Sequence, residues 1–443
     1  MIYEGNLIGT VVENFIDEDI FWSITRAKNI KTTDILPAGF PIPVDENSGE
    51  VCEPALLFLY ESYVQDNGKD FSLNTLHGYC QDLKEWWRYL EEFEFTWTSI
   101  IDQNITAFLD SMVCTISPET EEPYATSTIN RRAVTVCQFY KWAKNQSFLA
   151  ADTPDMGLLR NGTVGRHIRR RRADEKLRVS VMRLDQAEKI FHKLGPLPSE
   201  WMEIYAALAA IEPGSSQKEI LEKSWSSRLR LGAEIALNVG LRITEVTSLL
   251  NSQFAIYPED LVDHKPYNIS ITGKGRKLRT INISGRMLRE IRIYIKGERE
   301  MMLKESGLEC CSSLLINPIG TGSRFAKKTS NRTFQRGFSE ACVSAGEIEN
   351  RKFLSYEESH EGIFVWKEVV RPCPLFVFHD LRHSYSVWTY YSRKESGDSE
   401  PWFYIKTQLG HSSIQTTQDI YLRVTWDFEA SVTDQYMKSI WFS

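Results

Sequence analysis

The sequence predicts a mainly α-helical protein with a small β-sheet, divided into domains of unequal size. Three observations support this prediction. Apolar residues recur at helical spacing between residues 54 and 149, the same spacing dominates beyond residue 184, and a segment near residue 270 has the pattern of a β-hairpin. A length of 443 residues, with 42% hydrophobic and 25% charged residues, suits a folded chain of two or three domains.

Residues 1–50 are predicted to be an acidic N-terminal appendage and linker. Nine acidic residues oppose three basic ones, and Pro37, Gly39, Pro41 and Pro43 interrupt the chain. The acidic character argues against an arm that grips DNA. Packing of this segment against its own protein is the favoured interpretation.

Residues 51–155 are predicted to form a small domain of four helices. In the second helix, Leu76, Leu83, Trp87 and Leu90 are spaced for one face. The fourth helix, in residues 127–148, combines an apolar face with basic residues. A domain of this kind buries its apolar faces in one shared core.

Residues 156–183 are predicted to be a basic linker between two domains, where only Asp174 and Glu175 oppose the positive charges. Its candidate phosphate-binding residues are Arg166, Arg169, Arg170, Arg171, Arg172 and Arg178. A flexible basic strap can neutralise phosphates and release counterions. The alternatives are a solvated charge run and a nuclear-localisation-like tract.

The larger domain is predicted to span residues 184–443. Residues 228–239 indicate a buried helix, and residues 267–271 and 278–283 indicate a hairpin with a glycine-bearing turn. Residues 195–226 and 343–374 are predicted to be insertions.

The segment H-D-L-R-H at 379–383 offers a candidate anion site. On a helix, His379, Arg382 and His383 would share one face, while Leu381 would point into the core. The alternative is a surface helix with ordinary hydrogen bonds.

The segment G-L-R-I-T-E at 240–245 offers a second candidate. Gly240 can end one helix, and Arg242 would then lie near the start of the next, where phosphate is also favoured. Glu245 is placed to orient Arg242 or a neighbouring backbone group. The alternative is a surface ion pair, which contributes little.

The segment from Leu409 to Tyr421 is the third candidate. Gly410 allows a tight turn, and Tyr421 would lie on a short helix after it. The alternative is that Tyr421 is a half-buried aromatic residue.

Together these segments resemble the tyrosine recombinase (phage integrase) family. The G-L-R-I-T-E box, the G-K-G hairpin at 273–275, the H-D-L-R-H box, the L-G-H-S-S box at 409–413 and Tyr421 occur in the family's order. Residues 127–142 also resemble the last helix of the family's N-terminal core-binding domain. The resemblance implies a helical core-binding (SAM-like) domain followed by an α+β catalytic domain, which would close around duplex DNA.

The resemblance also implies a role for each matching residue. Arg242 and Arg382 match the arginines that hold the scissile phosphate, with Glu245 and His383 in support. DNA contacts are expected from the basic linker and from the fourth helix. The basic residues of that helix are Arg131, Arg132 and Lys141.

The remaining matches concern proton transfer and the nucleophile. Lys274 matches the lysine that protonates the leaving 5′-oxygen, and His379 and His411 match positions that hydrogen-bond the phosphate or assist proton transfer. Tyr421 matches the nucleophile. No metal or other cofactor is implied, and none of the eight cysteines forms a C-x-x-C pair.

The implied function is that of a site-specific DNA recombinase of the integrase or transposase type, working through a 3′-phosphotyrosyl intermediate. The alternatives are a topoisomerase or resolvase with the same chemistry, and a non-catalytic DNA-binding regulator. The expected partners are double-stranded DNA, three further copies in a homo-tetramer on DNA, and accessory proteins of the same mobile element. A bacterial cytoplasmic, nucleoid-associated location is what the resemblance implies, and no apolar run approaches the ~20 residues of a membrane span.

Overall fold

A computed structural model describes most of the chain. The described residues are 22–26, 36–45, 49–65, 72–114, 117, 124–149, 180–255, 257, 260–273, 278–308, 311–358 and 364–410. They divide into two compact units, one built mainly from residues before 177 and the other mainly from residues after it.

Helices dominate both units, and the strands are few. The described helices of the first unit are α1 (Glu53–Tyr60), α2 (Leu73–Glu92), α3 (Asp102–Cys114) and α4 (Thr126–Asn145). Those of the second unit are α5 (Leu184–Leu194), α6 (Pro198–Ile211), α7 (Gln217–Lys223), α8 (Arg228–Val239), α9 (Ile243–Thr247), α10 (Gly285–Tyr294), α11 (Glu300–Ser306), α12 (Asn331–Ser344), α13 (Asp380–Glu395) and α14 (Pro401–Leu409).

The described strands form two-stranded sheets. These pair β1 (Trp22–Arg26) with β2 (Pro41–Asp45), β3 (Pro266–Thr272) with β4 (Leu278–Ser284), and β5 (Ile348–Glu358) with β6 (Phe364–Pro374). The predicted fold class, mainly α with a small amount of β-structure, is confirmed.

The core of the first unit lies between its four helices, as the apolar periodicity predicted. Leu76, Leu83, Trp87 and Leu90 on α2 are all buried. Trp86 is buried as well, and its indole nitrogen donates to Tyr140 Oη at 3.2 Å. A buried tryptophan that finds a partner for its N–H adds apolar area to the core without leaving a polar group unsatisfied.

Part of the predicted N-terminal linker belongs to this core. β1 and β2 pair in antiparallel register, from Trp22 opposite Asp45 to Arg26 opposite Pro41. Phe40 is fully buried and Ile42 is 8% exposed. The interpretation of residues 37–43 as a linker is therefore wrong. Proline has no backbone N–H to donate to a sheet hydrogen bond. Strand β2 can nevertheless contain Pro41 and Pro43, because both strands of a two-stranded sheet are edge strands.

The second unit is built around α8, whose bounds agree with the prediction. Gly232 on this helix faces Phe334 of α12, and a Cβ on Gly232 would lie only 2.3 Å from that ring. The predicted hairpin is β3–β4, with Ile269 opposite Ile281. The predicted insertion at 195–226 contains α6 and α7, and that at 343–374 contains the β5–β6 pair.

Candidate active site

The site begins where α8 ends at Gly240, which has a left-handed φ of 75°. A Cβ at this position would lie 2.4 Å from the ring of Tyr385 and 2.8 Å from Leu409. Only glycine combines this backbone conformation with such a close approach. The tight turn delivers Arg242 directly to the start of α9.

Glu245 holds Arg242 in two ways. One carboxylate oxygen accepts from the Arg242 backbone N–H at 2.9 Å, and the other accepts from its Nη1 at 3.1 Å. The predicted placement of Glu245, orienting Arg242 or a nearby backbone group, agrees with both contacts. The Arg242 side chain remains 27% exposed.

Two further guanidiniums surround the same carboxylate. Arg279 on β4 donates to it from Nη1 at 2.6 Å and from Nη2 at 3.0 Å, and Nη1 of Arg382 lies 3.7 Å away. We call Glu245, Arg242, Arg279 and Arg382 the Glu245 cluster. Three positive charges against one negative charge leave an excess of two, which suits an anionic ligand.

The protonation state of Glu245 follows from these contacts. Burial raises the pKa of the carboxyl, but hydrogen bonds from Arg279 and from the Arg242 backbone, with the charges of Arg279 and Arg382, outweigh burial. The pKa of Glu245 therefore lies below its ordinary value, and the group is a carboxylate at neutral pH.

Arg382 lies deeper than its motif predicted. The residue is 1% exposed, and its guanidinium donates to the carbonyl oxygens of Gly240 at 2.6 Å and Leu409 at 2.7 Å. The prediction that it shares one surface with His379 and His383 is corrected, because helical spacing gives direction but not depth. Arg382 ties the end of α8 to the end of α14 beneath that surface.

His379 lies at the start of α13, with its ring centroid 4.8 Å from that of His383. Partial burial, followed by the charges of Arg382 and Arg242, lowers the pKa of His379 below its ordinary value. Its imidazole is therefore neutral at pH 7 and can both donate and accept a hydrogen bond.

Arg279 is the member of this cluster that the motifs missed. Burial along β4 alternates, with Ile281 and Ile283 facing the core. Residue 279 is two positions before Ile281. Because side chains alternate between the two faces of a strand, the Arg279 side chain is expected on the same inward face. A charge on the inner face of a strand requires a partner, and this signal could have identified Arg279 from the sequence.

Three of the predicted catalytic residues lie outside the described residues. These are Lys274, His411 and Tyr421. The chain approaches position 411 through Gln408, whose side chain accepts from the backbone N–H of Asn282 at 2.9 Å and donates to its carbonyl at 2.7 Å.

Residues 59–147 match the family model of the phage integrase N-terminal SAM-like domain. The chain carries the SAM-like domain of the phage integrase family. The predicted resemblance is confirmed on this segment, which includes all of α2, α3 and α4.

The chain is also similar to solved structures, each at 16% identity. A XerH site-specific recombinase bound to palindromic difH substrate, in a post-cleavage complex, aligns over 82% of this chain and 80% of its own, with a TM-score of 0.48. A lambda integrase (75–356) dimer bound to a COC′ core site aligns over 82% and 94%, with a TM-score of 0.47. No curated protein matches the chain.

Within the SAM-like domain, Arg132 is not available to DNA. It is 5% exposed, its Nε lies 3.7 Å from Asp82, and its guanidinium lies 4.7 Å from the centre of the Tyr124 ring. The prediction that Arg132 binds DNA is corrected, because an acidic partner from α2 holds it inside the domain.

Arg131 is also engaged within the domain, and Lys141 is not buried. The Arg131 Nη1 donates to the Gly78 carbonyl at 2.7 Å and to Asp82 Oδ2 at 2.8 Å, while 41% of its side chain is exposed. Lys141 is exposed on α4. We call Asp82, Arg131, Arg132 and the bonded Thr135 the Asp82 cluster.

The basic linker lies outside the described residues, from Arg166 to Arg178. Among the residues that are described, no helix is both long and apolar enough to cross a membrane.

Proposed function

We propose that the chain is a site-specific DNA recombinase of the integrase or transposase type, which cleaves and rejoins DNA through Tyr421. The observation that carries the proposal is the Glu245 cluster. Segments far apart in sequence bring Arg242 and Arg382 to one carboxylate, with His379 beside them. These residues belong to two separate motifs of the tyrosine recombinases.

The cluster suits the transition state of phosphodiester cleavage. A phosphodiester is anionic, and its charge repels an attacking phenolate. The exposed part of the Arg242 guanidinium can bind a non-bridging oxygen, and the positive charge of the buried Arg382 can stabilise the negative charge that develops there. Glu245 holds Arg242 in place and leaves the cluster positively charged.

The reaction uses the residues of the remaining motifs. The Tyr421 oxygen forms a bond to phosphorus, and the bond between phosphorus and the 5′-oxygen breaks. Lys274 donates a proton to that oxygen, and His379 and His411 hydrogen-bond the phosphate or assist proton transfer. The products are a 3′-phosphotyrosyl bond and a free 5′-hydroxyl.

Rejoining reverses these steps with a second DNA end. The covalent bond to Tyr421 conserves the energy of the broken phosphodiester, so the proposed reaction requires neither ATP nor a metal ion. Strand exchange between two duplexes requires four active sites, and we propose a homo-tetramer on DNA. We also propose that accessory proteins of the same mobile element bind this protein. The proposed location is the bacterial nucleoid.

Two other functions use the same residues differently. A topoisomerase or resolvase would share the chemistry, but the topoisomerase would not join two DNA molecules. A DNA-binding regulator would have no use for a nucleophile at Tyr421.

Covalent capture separates these functions. Cells that express the wild type or Tyr421→Phe are denatured, and DNA linked to the protein is recovered and sequenced. Tyr404→Phe is the matched control, because phenylalanine keeps the ring that lies 4.0 Å from the Arg393 guanidinium and removes only the hydroxyl.

The proposal predicts adducts at one DNA sequence with the wild type and with Tyr404→Phe, and none above background with Tyr421→Phe. Adducts scattered over many sequences would favour a topoisomerase. Adducts that persist in Tyr421→Phe, or no adducts with the wild type, would contradict the proposal.

A further inference from the structure

The Glu245 carboxylate receives its fullest contact from Arg279, which lies on β4. Nη1 of Arg279 donates to Oε1 at 2.6 Å, and Nη2 donates to Oε2 at 3.0 Å. By comparison, the Arg242 side chain donates through Nη1 at 3.1 Å, and Nη1 of Arg382 lies 3.7 Å away. Two parallel bonds between a guanidinium and a carboxylate fix the orientation of both groups as well as their distance. Arg279 therefore determines how the carboxylate is turned.

The same two carboxylate oxygens hold Arg242. Oε1 of Glu245 also accepts from the Arg242 Nη1 at 3.1 Å, and Oε2 also accepts from the Arg242 backbone N–H at 2.9 Å. A rotation of the carboxylate away from Arg279 would therefore change both of its contacts with Arg242. The placement of the Arg242 guanidinium thus depends on an orientation that Arg279 sets.

The hydrogen-bonding capacity of Glu245 explains what the loss of Arg279 would do. A carboxylate has about four lone-pair sites, and Arg279 and Arg242 each donate two bonds to this one. The Glu245 side chain is 3% exposed, so water does not readily replace a lost donor. Without Arg279, the carboxylate would turn towards a second nitrogen of Arg242. That pairing would withdraw the Arg242 guanidinium from a ligand.

The Arg279 side chain is itself held in place by packing. A Cβ on Gly410 would lie 2.8 Å from Cδ of Arg279 and 2.9 Å from its Nε, so the glycine allows the two segments to approach closely. Gly410 has a left-handed φ of 69°, which glycine adopts without strain. The Arg279 side chain is 14% exposed, against 27% for Arg242. Arg279 is therefore the more enclosed of the two, and Arg242 is the more accessible to a ligand.

We propose that Arg279 is a positioning residue for Arg242. By binding both oxygens of Glu245, Arg279 keeps the Arg242 guanidinium free and turned towards the phosphate. The inference rests on the proposed function, in which Arg242 binds a non-bridging oxygen of the scissile phosphate. Arg279 acts through Glu245 and Arg242, and makes no bond to the phosphate itself.

A cycle of variants tests whether Arg279 acts through Arg242. Adduct formation on bound DNA that contains the captured site is followed for the wild type, Arg279→Gln, Arg242→Ala and the double variant. We expect Arg279→Gln alone to slow the reaction about 100-fold, the typical cost of displacing a positioned group by about 1 Å. In the Arg242→Ala background, the same substitution should slow it less than about tenfold, because the group that it displaces is already missing.

A neutral substrate gives a second readout, which a general disturbance of the fold would not change. In a methylphosphonate duplex, a methyl group replaces one non-bridging oxygen of the scissile phosphate and removes its negative charge. The reaction then depends less on the Arg242 guanidinium. We expect the deficits of Arg279→Gln and Arg242→Ala, relative to the wild type, to fall together by about tenfold or more.

Two further variants make the result specific. Arg279→Lys keeps the positive charge but cannot form two parallel bonds, so its rate should lie between those of the wild type and Arg279→Gln. Arg336→Gln changes a side chain that is 79% exposed and paired with Glu340, and it should match the wild type on both duplexes. Unfolding in urea is measured for every variant, so that loss of the fold is distinguished from loss of position.

The positioning role would be overturned by a rate for Arg279→Gln close to that of the wild type. A full further loss of about 100-fold in the Arg242→Ala background, or an unchanged deficit on the methylphosphonate duplex, would also overturn it. If Arg279→Gln does not fold, Arg279→Lys is carried through the same cycle and the same outcomes decide. Absence of adducts with the wild type, or a wild-type rate for Arg242→Ala, would instead contradict the proposed function.

Discussion

The two units each contain a buried carboxylate surrounded by arginines, and the two clusters differ in their balance of charge. In the Asp82 cluster, Arg131 and Arg132 face Asp82, and Glu85 lies 3.8 Å from Arg132. Glu85 also lies 3.8 Å from the Lys84 ammonium, so three positive charges meet two negative ones. In the Glu245 cluster, three guanidiniums meet one carboxylate.

The carboxyl groups respond in opposite directions. Burial raises the pKa of Asp82 to about 6, although Arg131, Thr135 and Arg132 oppose the shift. The pKa of Glu245 lies below its ordinary value, because its hydrogen bonds and nearby charges outweigh burial. Clusters with similar residues thus differ: the Asp82 cluster joins α2 to α4, and the Glu245 cluster retains the positive charge that we propose binds the phosphate.

Removal of an arginine should have its largest effect on cleavage in the Glu245 cluster. We expect Arg242→Ala to lower the rate of adduct formation on bound DNA about 100- to 1,000-fold, because it removes a charged donor to the phosphate. Adduct formation is followed on a duplex that contains the captured site.

The matched substitution in the other cluster is Arg131→Ala, which should leave this rate on bound DNA unchanged, because Arg131 pairs with Asp82 and belongs to the other cluster. A rate for Arg242→Ala within about tenfold of the wild type would refute its role as a phosphate donor.

Glu245 and Asp82 should contribute to the free energy of unfolding with opposite dependence on pH. We expect Glu245→Gln to destabilise the second unit by roughly 1.5–3 kcal/mol at neutral pH, because it removes a charged acceptor. The folded pKa of Glu245 is depressed below 4.5, so its contribution is present above pH 4.5 and is lost as the pH falls.

The contribution of Asp82 to stability should change with pH in the opposite direction. Its folded pKa is raised from 3.8 to about 6, so the advantage of the wild type over Asp82→Asn should shrink as the pH rises through that interval. Urea titrations between about pH 4 and 7, read by pulsed hydrogen exchange in α4 and α8, measure both units. The exposed Glu340 provides a control through Glu340→Gln. The same sign of pH dependence in both variants would contradict the comparison.

Binding of DNA should depend on the basic linker more than on either cluster. Neutralising Arg169 to Arg172 removes up to four phosphate contacts, so affinity should fall and the slope of log K against log salt should become shallower by up to about 3.6. The measurement is fluorescence anisotropy across a salt series. An unchanged slope would show that this segment does not touch DNA.

The smallest expected effect on DNA binding concerns two basic residues on α4. Lys141→Ala should reduce the salt slope by about one and leave the unfolding of the SAM-like domain unchanged. Arg132→Ala should destabilise that domain, because the buried Asp82 loses a partner. If Arg132→Ala alters only the salt slope, Arg132 binds DNA and is not held inside the domain.

Periodicity predicted the elements that bury an apolar face. The bounds of α8, the buried face of α2 and the β3–β4 hairpin follow from spacing, because burial repeats with the period of the element. The motif at 240–245 likewise indicated that Glu245 orients Arg242, and the resemblance implied a shared site for Arg242 and Arg382.

The burial of a charged side chain and the identity of its bonding partners could not be predicted in the same way. Arg132 and Lys141 are both basic residues of α4, and only the approach of Asp82 from α2 distinguishes them. Arg382 is buried because two carbonyl oxygens from distant segments meet there. Arg279 belongs to none of the recognised motifs, although its position on β4, in alternation with Ile281 and Ile283, predicts an inward side chain.

We propose that Tyr421 attacks the phosphate bound at the Glu245 cluster. The most direct test digests the captured adduct with nuclease and trypsin and locates the residual nucleotide by mass spectrometry. We predict a phosphodiester-linked nucleotide on Tyr421, within the tryptic peptide from Thr407 to Arg423. A nucleotide on any other residue would contradict the claim.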